Sequence, residues 1–374
     1  MSRIIIFPTA TLKDSEGEIY PGVEELLNNL NSEGNKILLL SHRSTSLKDM
    51  LEDYKFTEFI SRRDIRSYIS SNEEDFYILV GSSDVDLQLA SNKKILLINP
   101  LWSHIQEAKA VRYGLSVKSP EGLHKVLRIL KNQTAWYYTL NVEEGTTIYS
   151  LSRANYKGYV ESQNEVELIQ AFEKILKNGN KRYFKLLLLH FLGSIINNPE
   201  FKAVDIWAIM PSSTTELNKD MQLFKDRARE IMGKQLKEPL FVRHTATYKS
   251  RGQSDSKRIP CDRHFDTIKI NPEYEGKLRG KNICVLDDFL NNGTSFETLR
   301  NLLRHEGVKT ITFVSLGKFQ RRGGIEYHKQ DYVITGDVYS EEYSYTLKST
   351  SGINGIFNNQ AREDIRELYN IITE

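Results

Sequence analysis

Apolar residues along this chain fall into two recurring patterns. Short unbroken runs, such as Ile4, Ile5 and Ile6 or Ile283, Cys284, Val285 and Leu286, alternate with stretches in which apolar positions return every three or four residues. The first pattern suits strands buried on both faces of a parallel sheet, and the second suits helices that cover such a sheet. In the amino-terminal part, RIIIFPTAT at residues 3–11 predicts a buried strand and a turn, followed after Pro21 and Gly22 by a helix with Val23, Leu26, Leu27 and Leu30 on one face. Gly34 ends that helix, and residues 37–40 form a second strand that delivers Ser41, His42 and Arg43 at its end. FYILVGSSDVD at residues 76–86 and the run at 94–100 supply two more strands. The spacing predicts a doubly wound α/β sheet.

Further on, aromatic and β-branched residues at 136–149 flank the turn 141–145 and predict a hairpin that residues 156–160 extend. Helical spacing follows at 165–177 and 182–196, then a strand at 204–210, a helix at 218–232 and a strand at 240–248. After the strand at 283–286 come a helix carrying Phe296, Leu299, Leu302 and Leu303, a strand at 310–314, strands at 332–338 and 344–347, and a closing helix at 363–372. The expected organisation is a first α/β domain over residues 1–130, a linking hairpin with helices over 131–200, and a second α/β domain over 201–374, with either residues 136–200 or residues 325–350 open to form a hood beside the second sheet.

A length of 374 residues exceeds one ordinary core and fits two. Lys and Arg number 51 against 49 acids, so bulk charge argues for neither nucleic acid nor membrane, and electrostatic binding must come from local clusters. The two cysteines, Cys261 and Cys284, lack metal-ligand spacing and fit a reducing compartment. The longest apolar run, residues 186–196, is broken by His190 and Gly193 and is too short to span a bilayer, and no signal peptide is visible at Met1. A cytoplasmic protein is expected.

The densest chemistry lies in KNICVLDDFLNNGTS at residues 281–295. A buried strand there brings Asp287 and Asp288 out at its carboxyl edge, where open α/β sheets bind ligands, and their oxygens suit ribose hydroxyls or magnesium. Gly293 permits a left-handed turn, after which the amides of residues 292–295 face outward at a helix start as anion donors. This segment resembles the phosphoribosyl pyrophosphate (PRPP) signature of type I phosphoribosyltransferases, covered over residues 285–295. The resemblance implies that Asp287 and Asp288 hold the ribose and a magnesium ion, while Asn291, Asn292, Gly293, Thr294 and Ser295 wrap the 5-phosphate. Asn291 and Asn292 stand where the family carries threonine-type residues.

The strand at 204–210 runs into Pro211, Ser212, Ser213, Thr214 and Thr215, which is similar to the pyrophosphate loop of the ComF-like branch. The same hydroxyls before Glu216 serve equally as a helix N-cap, and both readings stay open. Arg243, Lys249, Arg251, Lys257, Arg258 and Arg263 then fall among only two acids, Asp255 and Asp262. The family implies a flexible loop closing over the site at this position, with Ser212, Ser213, Arg243, Lys249 and Arg251 on the diphosphate. A solvated loop and a nucleic-acid contact are the alternatives, the latter disfavoured because aromatic platforms are scarce. Lys318, Arg321 and Arg322 offer a further phosphate contact or a solvated turn, and His42 and Arg43 an anion pocket or a solvated loop.

Residues 1–130 resemble the haloacid dehalogenase (HAD) phosphatase superfamily, including the opening of the first helix after Tyr20, Pro21, Gly22 and Val23. Where that family carries Asp-x-Asp-x-Thr, this chain has Phe7, Thr9 and Thr11. Phe7 offers no nucleophilic atom, so no phospho-aspartyl intermediate can form there. Ser41 matches the second-motif hydroxyl and Asp86 one magnesium-binding acid, but Ser82 stands in place of the other. The expectation is a domain without phosphatase activity.

Together these resemblances imply a magnesium-dependent enzyme that transfers the phosphoribosyl group of PRPP to an unidentified base, nucleotide or macromolecule and releases pyrophosphate. The alternative is a binding module, a PRPP or nucleotide sensor, or an effector in a bacterial stress or antiphage system of retron type. Protein partners or self-association fit either.

Overall fold

In the computed structural model, the run Arg3–Pro8 forms strand β1, buried at five of its six residues, and the apolar runs that follow lie alongside it. The structure describes residues 3–73, 75–131, 135–155, 181–234, 238–247, 259–321 and 323–364, together with positions 163, 166, 167, 169, 170 and 367. The chain divides into two compact units: residues 1–131 with 195–202 and 230–234, and residues 132–194 with 203–229 and 235–374.

In the first unit β1 is followed by α1 (Val23–Ser32), β2 (Lys36–Ser41), α2 (Lys48–Asp53), β3 (Thr57–Ser61), α3 (Ile65–Ser71), β4 (Phe76–Val80), α4 (Asp84–Lys93), β5 (Leu96–Pro100), α5 (Ala108–Tyr113), β6 (Leu115–Val117) and α6 (Pro120–Lys131). The strands lie in the order β3-β2-β1-β4-β5-β6, with every neighbouring pair parallel. This is a doubly wound order, in which the chain winds outward from β1, then returns to lay β4 on its other side. The reversal leaves a crevice beyond the carboxyl ends of β1 and β4. Ile4, Ile6, Leu38, Leu40 and Leu79 pack with Ile65, Ile69 and Leu89 of the covering helices. The strand β3, helices α2 to α6 and the short β6 were not foreseen from the apolar pattern, and the run expected as a strand over 76–86 is a strand only at Phe76–Val80, its last residues opening α4.

The second unit contains β7 (Tyr138–Glu143), β8 (Thr146–Arg153), α7 (Lys181–Asn197), α8 (Pro199–Lys202), β9 (Ile206–Ile209), α9 (Lys219–Ile231), β10 (Phe241–Arg243), α10 (Asp262–Phe265), β11 (Ile268–Ile270), β12 (Asn282–Leu290), α11 (Thr294–His305), β13 (Thr310–Lys318), β14 (Tyr327–Thr335), β15 (Ser344–Ile353) and β16 (Ile356–Phe357), although the end of α7, all of α8 and the end of α9 cluster with the first unit. Its main sheet runs β16-β7-β8-β13-β12-β9. The strands β8, β13, β12 and β9 are mutually parallel, and β7 and β16 are antiparallel additions. The β7–β8 hairpin is therefore not part of a separate hood. Seven of the eight residues of β8 are buried, as a strand covered on both faces requires, and β8 pairs with β13 from Ile311↔Thr146 to Lys318↔Arg153.

Apolar residues of α11 close one face of this sheet, and the ring of Phe296 stacks on Phe313 with centroids 4.4 Å apart. The strand expected over 240–248 is only Phe241–Arg243, paired with β11. The expected structure at 156–160, most of the helix at 165–177 and most of the closing helix lie outside the described residues.

Candidate functional site

The nine residues of β12 continue through both acids, so Asp287 and Asp288 lie within the strand and not beyond its end. They nevertheless stand at an open edge. Neighbouring β9 stops at Ile209, opposite Leu286, and the Met210 amide makes the last rung to the Leu286 carbonyl at 2.8 Å. On its other side β12 stays paired with β13 as far as Leu290↔Lys318. The chain leaving β9 thus turns directly beside the two carboxylates. This adjacency follows from parallel pairing of strands whose carboxyl ends lie together.

The Asp288 amide donates to Asp287 Oδ1 at 2.8 Å, and the Phe289 amide to Asp288 Oδ1 at 2.7 Å. Burial, and then the charge of Asp288, push the Asp287 carboxyl well above the usual carboxylate range, with Arg243 pulling the other way. Arg243, at the end of β10, is itself buried, and desolvation lowers its guanidinium to about 10. It donates to the Ser212 carbonyl and to Thr267 Oγ1, and lies 3.2 Å from His264 Nδ1.

The turn after β9 uses its own hydroxyls. Ser212 Oγ lies 3.1 Å from the Thr214 carbonyl and 2.5 Å from that of Glu216, and the Ser213 carbonyl accepts from the Thr247 amide at 2.9 Å. The cap of α9 is Asn218, whose Oδ1 accepts from the amides of Asp220 and Met221 at 3.1 and 3.2 Å. The serine-threonine turn is therefore not the helix cap. The structure brings Ser212, Arg243 and Asp287 to one sheet edge, while Lys249, Arg251, Lys257 and Arg258 lie outside the described residues.

The phosphate-type loop is tightly built. Gly293 adopts φ 93° and begins α11 without any side-chain cap, so the first-turn amides, which have no intrahelical acceptors, are left to other partners. Lys318 Nζ donates to the Asn291 carbonyl at 2.9 Å, and the His328 amide donates to the Asn292 carbonyl at 2.9 Å. Lys318, for which a phosphate or base contact and a solvated turn were both open, is neither: it is fully buried and paired with Glu326 at 3.0 Å, and it braces the loop from behind. Arg322 lies outside the described residues. Thr294 is likewise withdrawn from the loop surface. Its hydroxyl lies 3.1 Å from both the Ile259 carbonyl and Asn292 Oδ1, and its residue and Asn292 are buried, whereas Asn291 and Ser295 remain partly exposed.

Sequence reasoning missed the charge network under this loop. Glu297, wholly buried, accepts from Tyr327 Oη at 2.5 Å, from the Gln330 amide at 2.8 Å, and from Arg300 Nη2 at 2.6 Å. Its only local signal is the i,i+3 spacing to Arg300, which on an exposed helix would mean little.

In the first unit, the reversal crevice gathers the motif positions but commits them internally. Phe7 is a core residue, Thr11 Oγ1 donates to the Pro8 carbonyl at 2.8 Å, and Ser82 Oγ lies 3.1 Å from Ser103 Oγ, which donates back to the Ala10 carbonyl. Thr9 stands on the one-turn helix after β1, and Ser41, half-buried, ends β2. The expected magnesium ligand Asp86 is only 2% exposed. One of its oxygens takes the Arg62 guanidinium at 2.8 Å, and the other accepts from the Ser83 hydroxyl at 2.7 Å and from the amides of Ser82 and Ser83. It is the reciprocal half of the capping box that starts α4. A cation would have to displace that guanidinium, so these residues do not fit a magnesium site. His42 and Arg43 are both exposed.

Among the described residues, no group of three or more His, Cys, Asp or Glu side chains is placed to hold a metal ion, and no helix is long and apolar enough to cross a membrane. No protein-family model matches the chain, and no curated protein matches it.

Proposed function

We propose that the second unit is a type I phosphoribosyltransferase-like domain that binds PRPP at the edge formed by β12, the turn after β9 and the start of α11. The observation that carries this reading is the pair Asp287 and Asp288 on an open strand edge, where repulsion and burial hold a carboxyl at raised pKa beside an uncapped helix start. Such a pair gains most from partners that bring hydroxyl hydrogens or positive charge. The ribose hydroxyls donate to these carboxylates. The 5-phosphate lies on the amides of residues 292–295 and on Ser295, and the diphosphate lies toward Ser212, Ser213 and Arg243.

Two adjacent carboxylates are hard oxygen donors that fit magnesium, and Asp287 and Asp288 would hold it with the substrate. When bound, the ion neutralises charge on the diphosphate. Arg243, preorganised by its bonds to Ser212, Thr267 and His264, lies on the side where the leaving group gains charge. The bond from C1 of the ribose to the diphosphate oxygen breaks, pyrophosphate departs, and a nitrogen of the acceptor bonds to C1 and loses its proton to solvent.

The first unit fits a HAD-like domain without phosphatase chemistry, since Phe7 replaces a nucleophile and Arg62 occupies the countercharge position at Asp86. A second reading, a PRPP or nucleotide sensor serving as an effector in a bacterial stress or antiphage system, is favoured by one feature. The Thr294 hydroxyl is spent inside the fold, which weakens the phosphate cradle relative to an efficient enzyme.

Incubation of the full chain with PRPP, magnesium and a panel of bases and nucleosides, followed by pyrophosphate measurement, tests both. Pyrophosphate release that disappears in the D287N/D288N variant supports transfer. PRPP binding without release supports the sensor, and failure to bind PRPP overturns the transferase and the PRPP sensor alike.

A further inference from the structure

We propose that the cavity between α11 and the β14–β15 hairpin is a second ligand site, which takes a small, multiply charged anion bearing phosphate or carboxylate groups. The cavity measures about 490 Å³, within the usual range for small-molecule pockets. Arg300, Arg304, Lys329 and Lys348 line it, against only two carboxylates, Glu143 and Asp331. Glu143 is shared among three cations: Arg300 at 2.8 Å, Lys329 at 3.1 Å, and Arg304. Asp331 is shared between Arg300 at 2.8 Å and Lys329 at 3.4 Å. Lys348 meets no carboxylate among the described residues and is exposed.

Burial raises both carboxyls, but the surrounding guanidinium and ammonium groups outweigh it and hold each below its usual value. Both acids therefore stay ionised, and with the buried Glu297 compensating Arg300 from beneath at 2.6 Å, the cavity still keeps one more positive charge than negative ones. Repulsion among cations that share one carboxylate is relieved by an anion placed among them. The carboxyl end of α11 contributes partial negative charge, which Arg304 and His305 offset in its last turn. This site does not depend on the PRPP reading, because Thr294 and Arg304 lie roughly 15 Å apart along one helix.

Isothermal titration calorimetry of the full chain at low ionic strength, with inorganic pyrophosphate and separately with citrate, tests the proposal. At least one anion is expected to bind, and the arm that binds separates a phosphate ligand from a carboxylate one. Because Lys348 is exposed and Arg304 half-exposed, K348E and R304A are expected to remain folded, which thermal melts check. Each is expected to weaken the binding at least tenfold. Affinity unchanged in both variants, as binding at the opposite end of α11 would give, overturns the proposal. So does the absence of binding by either anion to the unaltered chain.

Discussion

The ring of Tyr327 lies so close to Gly293 that a Cβ built on that glycine would stand 2.2 Å from Tyr327 Cε2. The same tyrosine donates its hydroxyl to Glu297, so one side chain covers the turn that opens α11 and ties it to the buried charge network. G293A meets both the ring and a left-handed φ of 93°, and is expected to destabilise the protein by about 2–4 kcal/mol. Chemical denaturation measures it. The Y327A/G293A double variant should lose clearly less than the sum of the single losses, since removing the ring relieves the clash that the added Cβ makes.

Glu297 accepts only charged or strongly polar donors in a site without water access. E297Q turns one acceptor into a donor facing Arg300 or Tyr327, and leaves the Arg300 charge less compensated. A loss of about 3 kcal/mol is expected, read as a lower denaturation midpoint. No loss would mean the network is slack.

Asp287 has the opposite sign of effect. Its folded pKa is raised, so at pH values above the ordinary carboxylate range the folded state holds a proton that the unfolded chain releases, and stability falls as pH rises through the folded pKa. D287N removes that loss. Its melting temperature at pH 7 should exceed that of the unaltered chain by about 2 °C or more, with the difference closing near pH 4. A variant less stable than the parent at pH 7 would contradict the raised pKa, while the same substitution is expected to abolish PRPP binding.

Asp86 supports structure and not catalysis. D86A removes the partner of Arg62 and half of a capping box, with an expected cost of about 2–3 kcal/mol given that Arg62 is partly exposed. Calorimetry should show the loss in the melting of the first unit, and PRPP binding by the folded variant should stay unchanged.

Local pattern carried much of the fold. The runs at 37–40 and 283–286, the first half of the run at 76–86 and the helix after Gly293 were legible because burial on both faces of a parallel strand, and one-sided burial of a helix, write themselves into consecutive residues. The acids Asp287 and Asp288 and the turn glycine were visible for the same reason, being neighbours in sequence as they are in space. Weak strands such as Thr57–Ser61 were missed, since half-exposed edge positions carry no apolar run.

What the chain order could not disclose is which side chains arrive from elsewhere. Lys318 reaches the Asn291 carbonyl, Tyr327 the face of Gly293, and Arg62 the carboxylate of Asp86, each across more than twenty residues of chain. Spacing encodes which face of an element is apolar, so the elements and the acidic pair were determined by sequence. The pairing of β8 with β13, the withdrawal of Thr294 into the interior and the crowding of cations around Glu143 were decided by tertiary packing, because they depend on distances between segments that no local period records.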